Sequence, residues 1–391
     1  MLVLALAALS HAAEPAEVTA VPGRGFTVQT ADGRFALGIR GRIQLRETVL
    51  ATAPDDAGDR KVTTATQVAT ARVYFTGHTL SEDIKYTLQL AIAPNDYRDG
   101  TISPIFDAFV DLTHNPNASL RIGQAFVPFD RARTNREFAL QLATRPRPVN
   151  ELTLDRDVGV YLYSNELGGE GSPVAYRVGV FGGGGGNQLT GKEPGGLGVA
   201  RVELHPFGYM QDADSEGDLE IRDEPGLAIG AGAAYNLNTN RARSTTSTTF
   251  TGGTTDFLHL AGDAVFKWHG AAVMAEVLYR DASADTIESV ADDGTAVTEA
   301  TRSGVGWLVQ PSLMLTKKAE IAARYSHQQA LDGTDPAYIS ELDSKEHEVA
   351  AGLNWYENGH RLKVQTTWVA LFGPSFADAE HAGYLLLDMS F

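Results

Sequence analysis

Long stretches of the chain alternate in side-chain character with a period of two, and one of the two faces repeatedly carries arginine. Phe35, Leu37, Ile39, Ile43 and Leu45 share a face with Gly41, while Arg34, Arg40, Arg42, Gln44 and Arg46 share the other. The pattern returns in Ile84, Tyr86, Leu88, Leu90 and Ile92 against Lys85, Thr87 and Gln89. It returns again in Leu362, Val364, Thr366 and Trp368 against Arg361, Lys363, Gln365 and Thr367. Alternation of this length marks strands with one apolar face. Several of these strands reach the roughly 9–11 residues that cross a bilayer at a tilt. Between residues 33 and 391 about 16 strands are expected, an even number as bacterial outer-membrane barrels use.

The connections support the same architecture. Even-to-odd links are tight, at Ser81, Asn115, Gly168, His269, Thr316 and Glu357. Odd-to-even links are long: 51–64, 94–102, 127–156, 183–196, 237–254, 283–301, 328–344 and 373–379. Short turns at one end and long loops at the other are the outer-membrane arrangement. The acidic link 208–225 breaks this parity, being long where a turn is expected. The expectation is an all-β transmembrane antiparallel barrel whose third exterior loop, 127–156, folds inward. A loop of that length within one domain is commonly functional.

No apolar run approaches the roughly 18 residues of a helical span, and there is no cysteine for disulfides or thiolate metal sites. The start, MLVLALAALSHAA, reads as the apolar region and small-residue cleavage site of a signal peptide over 1–12. Residues 13–32 then form a periplasmic N-terminal segment ahead of one barrel domain, 33–391. Aromatics near strand ends, among them Trp268, Tyr279, Trp355 and Trp368, fit interfacial girdles.

The run LRIGQAFVPFDRAR, followed about thirty residues later by RDVGV, resembles the phosphate-selective porin O and P family. GRFALGIRGRIQLR, EHEVAAGLNWYENGHRLKVQTTW and the terminal LLLDMSF agree with it in order and spacing. The resemblance implies a homotrimeric 16-stranded outer-membrane barrel with arginines along an anion path, and phosphate or polyphosphate as solutes. The chain departs from the family in its acidic balance and in lacking the N-terminal coiled coil of some relatives.

The formal net charge is −17, which argues against nucleic acid as a partner. Its distribution matters more. Placing the apolar face of each strand in lipid leaves a lumen that is net basic, with acids gathered in loops and turns. Rings of Arg and Lys favour anions, and the guanidinium offers paired donors at fixed charge. The anion-path candidates are Arg40, Arg42, Arg46, Arg72, Lys85 and Arg121 on the wall, with Arg131, Arg133 and Arg136 at the constriction. Small anionic solutes, outer-membrane lipid and lipopolysaccharide are the expected partners, and no cofactor is implied.

Two alternatives stay open. Acidic mouths would give a general or weakly cation-preferring porin. A plugged barrel would be a scaffold for an enzyme or an adhesin. The chain is read as a non-enzyme, since it has neither G-x-S-x-G nor H-E-x-x-H, and His259, His269, His327 and His347 are scattered over strands and turns. In the 208–225 link, Asp212, Asp214, Glu216, Asp218 and Asp223 partly follow a calcium-loop spacing. The fifth and twelfth positions carry the wrong acids, and a solvated acidic turn is the expectation there.

Overall fold

The computed structural model describes residues 16–55, 57–98, 101–102, 104–187 and 194–391. The expected signal peptide, 1–12, lies outside the described residues. The expected periplasmic segment is largely a hairpin, β1 (Glu17–Val21) and β2 (Gly25–Gln29), and β2 pairs with the first residues of the next strand.

Sixteen antiparallel strands follow and close into a barrel. They are β3 (Phe35–Ala51), β4 (Val62–Thr79), β5 (Ser81–Ala91), β6 (Ile105–Leu112), β7 (Ser119–Phe126), β8 (Arg156–Ser164), β9 (Val174–Phe181) and β10 (Gly196–Leu204). They continue with β11 (Gly226–Thr239), β12 (Thr255–Trp268), β13 (Ala271–Ala282), β14 (Gly304–Met314), β15 (Ala319–Ala330), β16 (His347–Tyr356), β17 (Leu362–Phe372) and β18 (Glu380–Ser390). Each pairs with its successor, and β18 returns to β3 with His381 opposite Ala51 and Ser390 opposite Arg42. Phe391 extends this seam by two backbone hydrogen bonds to Gly41, of 2.8 and 3.0 Å. A Cβ at Gly41 would meet the Phe391 ring, which would have to move aside.

Burial is inverted relative to a water-soluble sheet. Val158, Leu204, Ile229, Leu353 and Leu385 face outward and are exposed, while Lys267, Arg280, Lys363 and Asp388 are buried inside. That inversion suits a wall with hydrocarbon outside and polar contacts within. Exposed Trp268, Trp355 and Phe207 sit next to the short turns, and Tyr235, Trp307 and Phe376 at the long-loop end, which gives two aromatic girdles.

The interior is not hollow. Inward positions on β11 are small: Ala228, Gly230, Gly232 and Ala234. The 127–155 loop lies against them, and a Cβ on Gly232 would collide with the Phe129 carbonyl. Phe129, Val149, Leu152 and Leu154 pack with Val265, Met274, Leu278 and Leu308 of the wall. Each such side chain contributes roughly 1.5–3 kcal/mol by leaving water. The parity-breaking link, 205–225, also turns into the barrel, burying Met210, Ala213, Glu216 and Asp218.

Candidate anion path

The third exterior loop starts and ends at one place, with the Val127 amide donating to the Asp155 carbonyl at 3.2 Å. Asp130 caps its first helical turn, α1 (Arg131–Thr134), by accepting from the Arg133 amide at 2.6 Å. A second helix, α2 (Arg147–Leu152), is started by Pro148, which has no amide hydrogen to leave unsatisfied.

Inward carboxylates and amides of the wall hold this loop. The Ala132 amide donates to Glu276 at 2.8 Å, the Gln141 side chain to Glu320 at 2.6 Å and the Arg147 amide to Glu348 at 2.9 Å. Lys363 donates to the Leu140 carbonyl at 2.8 Å, and Arg280 to Glu151 at 2.8 Å. Glu216, from the opposite end of the barrel, accepts from the Gln141 amide at 2.8 Å. Loop and inturned link therefore meet in the interior. Much of the acidic charge that the strands point inward is used in holding the loop.

Between the loop and the facing wall of β3–β10 lies a cavity of about 710 Å³. Its lining holds ten arginines against six carboxylates: Asp96, Asp107, Glu137, Asp155, Glu203 and Asp214. Several arginines have fixed partners. Arg42 pairs with Asp388; Arg72 with Asp96 at 2.6 Å and Glu137 at 3.2 Å; Arg121 with Asp111 at 2.7 Å; Arg133 with Asp155 at 2.7 Å. Aromatic faces hold their planes. Arg156 lies between Phe106 and Phe126 at 3.5 and 3.6 Å, Arg121 over Phe109 at 3.8 Å, and Arg42 over Phe138 at 4.2 Å. Such stacking adds attraction while leaving edge donors available.

Three cavity arginines, Arg46, Arg136 and Arg145, have no carboxylate within ion-pair distance among the described residues. Arg136 is exposed to the cavity. Arg145 is held by the carbonyls of Ala132 and Asn135. Burial, and then the charge of Arg133, push its guanidinium down to about 10, so it is still a cation at neutral pH. At Asp96 burial is the largest influence and outweighs the nearby Arg72, raising the carboxyl above its ordinary value.

The candidates named from sequence separate accordingly. Arg42, Arg46, Arg72, Arg121, Arg133 and Arg136 line the cavity. Arg40 stacks on Tyr74 at 4.4 Å beside it. Lys85 is exposed near the short-turn end, outside the cavity lining. Arg131 requires correction as a constriction residue. It is 1 % exposed and turned into the wall, bonded to Glu203 at 2.7 Å, Asp263 at 2.8 Å and the Ala213 carbonyl at 2.8 Å. Asp263 and Glu203, both inward, pin it against the wall, so it does not line the cavity. The residues missing from that set are Arg145, Arg156, Arg177 and Arg201, which also line the cavity. Inward parity on β9 and β10 marks Arg177 and Arg201. No local signal distinguishes Arg145 from Arg147.

The solvated acidic turn expected at 208–225 is corrected as well: several of its acids are held by protein donors, and they do not converge on one point as a calcium loop would require. Asp212 takes Arg222 at 2.6 Å and Lys267 at 2.8 Å. Glu216 takes Gln141 and Gln310, and Asp218 accepts from the Gly270 amide at 2.7 Å. Asp214 lines the cavity and Asp223 is exposed.

No protein-family model matches the chain, and no curated protein matches it. Solved structures do match in fold. OmpF of Salmonella typhi, in complex with daunomycin, superposes with a TM-score of 0.55 at 12% identity, covering 92% of this chain and 98% of that one. The outer membrane channel DcaP of Acinetobacter baumannii gives 0.54 at 13% identity, covering 93% and 99%. A loop L8 deletion mutant of OmpT, an outer membrane protein of Vibrio cholerae, gives 0.54 at 10% identity, covering 92% and 100%. The chain thus has the bacterial outer-membrane β-barrel fold over nearly its whole length.

Proposed function

We propose that this barrel is a passive outer-membrane diffusion channel favouring small anions, with phosphate or polyphosphate as the solutes suggested by the resemblance of its third-loop region to the phosphate-selective porin O and P family. The observation that carries the reading is the cavity's charge, ten arginines against six carboxylates, with Arg46, Arg136 and Arg145 lacking a carboxylate partner among the described residues. The ion-paired arginines are largely neutralised by their partners; the three others supply net positive potential beside the inward loop. An anion passing them is held by several weak contacts in succession, which allows release as well as entry. The acidic exterior loops favour the opposite, cation-preferring reading. Planar-bilayer recording in a salt gradient separates the two by the sign of the reversal potential, and phosphate added to the chloride current tests for a phosphate site.

The same reading includes a homotrimer. Porin-fold neighbours include a trimer form of OmpT from Vibrio cholerae, which superposes with a TM-score of 0.51 at 10% identity and covers 91% of this chain and 99% of that one. The outward surface of this barrel supplies a reason of its own. Glu47 faces outward in the exterior third of β3, opposite Leu385 near the middle of β18, and accepts from the Thr66 hydroxyl. It lines a shallow groove with Ala351, Leu353, Thr366, Gly383 and Leu385. A carboxylate facing hydrocarbon is costly, and a neighbouring subunit over this groove removes that cost.

A further inference from the structure

Two of the scattered histidines meet at the exterior rim. His327 on β15 and His347 at the start of β16 are direct cross-strand partners, and their Nδ1 atoms stand 3.1 Å apart. Glu346, at the end of the α3 helix (Pro336–Lys345) in the seventh exterior loop, lies 3.2 Å from His347 Nε2. The Tyr325 hydroxyl is 2.8 Å from His347 Nδ1. All three candidate ligands are half-buried, and one donor atom from each falls within 4.8 Å of the others. No other group of three such residues is found among the described residues.

We propose that His327, His347 and Glu346 form a binding site for a borderline divalent transition cation such as zinc. Two imidazole nitrogens facing each other at 3.1 Å match two donors on one ion, since bonds of about 2.0–2.1 Å at a near-tetrahedral angle span roughly 3.1–3.4 Å. Without an ion, one ring must carry the hydrogen that the other accepts. An ion replaces that proton. Two nitrogens and one carboxylate favour zinc, nickel or copper over calcium or magnesium, which prefer all-oxygen shells. With three protein ligands, a fourth position stays open to water or to Tyr325.

The position gives the site a structural consequence. His327 and His347 lie in the outer aromatic girdle, with Trp307 6.3 Å from His327 and Phe372 5.1 Å from His347. Glu346 closes the helix whose Glu341 pairs with Arg147 of the inward loop at 3.1 Å. A bound ion staples the seventh loop to the barrel edge, beside the residues that clasp the third.

The test is calorimetric titration of the untagged, folded barrel in detergent with zinc chloride, each variant being confirmed as folded by its heat-modifiable gel mobility. The wild type is expected to bind a single zinc ion per chain, and calcium chloride is expected to give no comparable heat. His327→Gln and His347→Gln, which keep side-chain size, are expected to abolish binding. Glu346→Gln, which removes the anionic ligand, is expected to weaken it by about tenfold or more, since loss of even an outer-shell partner costs roughly 10–100-fold. His381→Gln, altering another rim histidine, is expected to leave it unchanged. Absence of zinc binding by the wild type, equal binding of calcium, or unaltered zinc binding by both histidine variants would overturn the proposal.

Discussion

The guanidinium of Arg131 lies 2.8 Å from the carboxylate of Asp263, joining the third exterior loop to the middle of the barrel wall. Both side chains are buried, and Glu203 completes the group at 2.7 Å. Removing one member of a buried pair leaves an uncompensated charge and costs about 3–5 kcal/mol. Arg131→Ala is therefore expected to loosen the loop as well as destabilise the protein. The expected outcome is a lower unfolding midpoint by heat-modifiable mobility and larger, noisier single-channel currents.

Gly232 supplies the space in which the loop's backbone sits. A valine there would collide with the Phe129 carbonyl, while its strand preference would be satisfied. Gly232→Val should thus leave the barrel assembled and displace the loop. Circular dichroism should be unchanged while conductance rises.

Acidification should increase anion preference. Asp96 pairs with Arg72 at 2.6 Å, and its carboxyl is raised chiefly by burial, against the lowering influence of Arg72. A raised acid takes up its proton before ordinary carboxylates do as pH falls, and Arg72 then loses a neutralising partner. The ratio of anion to cation permeability should rise as the pH is lowered from neutral into the upper carboxylate range. Asp96→Asn should show the elevated ratio already at neutral pH and a flatter profile.

The inturned acidic link should respond to its cation partners and not to calcium. Lys267 is fully buried, and its ammonium rests on the Asp212 side chain at 2.8 Å and the Asp212 carbonyl at 2.7 Å. Asp212→Ala strands that ammonium and should cost about 3–5 kcal/mol. Millimolar calcium should leave the wild-type unfolding midpoint unchanged.

The lipid-facing carboxylate tests the oligomer. If a subunit covers the groove around Glu47, Glu47→Lys should shift the assembly from trimer toward monomer in cross-linking and native electrophoresis. An unchanged trimer would place the interface on another face.

The strand framework was legible because two independent regularities had to agree. Alternation marks each wall segment, and loop parity marks its direction; a shift of one residue would have turned Arg42 and Arg72 into lipid. The sixteen barrel strands accordingly fall close to their expected positions. The site was legible less evenly. Parity correctly turned Arg42, Arg46, Arg72 and Arg121 inward, because strand geometry alone decides it. It does not say whether an inward arginine meets solvent or a carboxylate. Nor does an inward-folded loop say where Arg131 points, since its partners Glu203 and Asp263 lie far away in sequence on β10 and β12. The inward bend of 205–225 was equally hidden, because its acids read as solvated until Lys267, Arg222 and Gln141 are brought beside them. The meeting of His327 and His347 needed the register of β15 on β16, which spacing along the chain does not contain.

The sign of selectivity is read directly from a reversal potential in a potassium chloride gradient across a planar bilayer. An anion-favouring channel gives a reversal potential of the sign set by chloride, moving toward zero when Arg46, Arg136 and Arg145 are replaced together by glutamine. A wild-type channel reversing on the potassium side, with the triple variant unchanged, would rule out anion preference through these arginines.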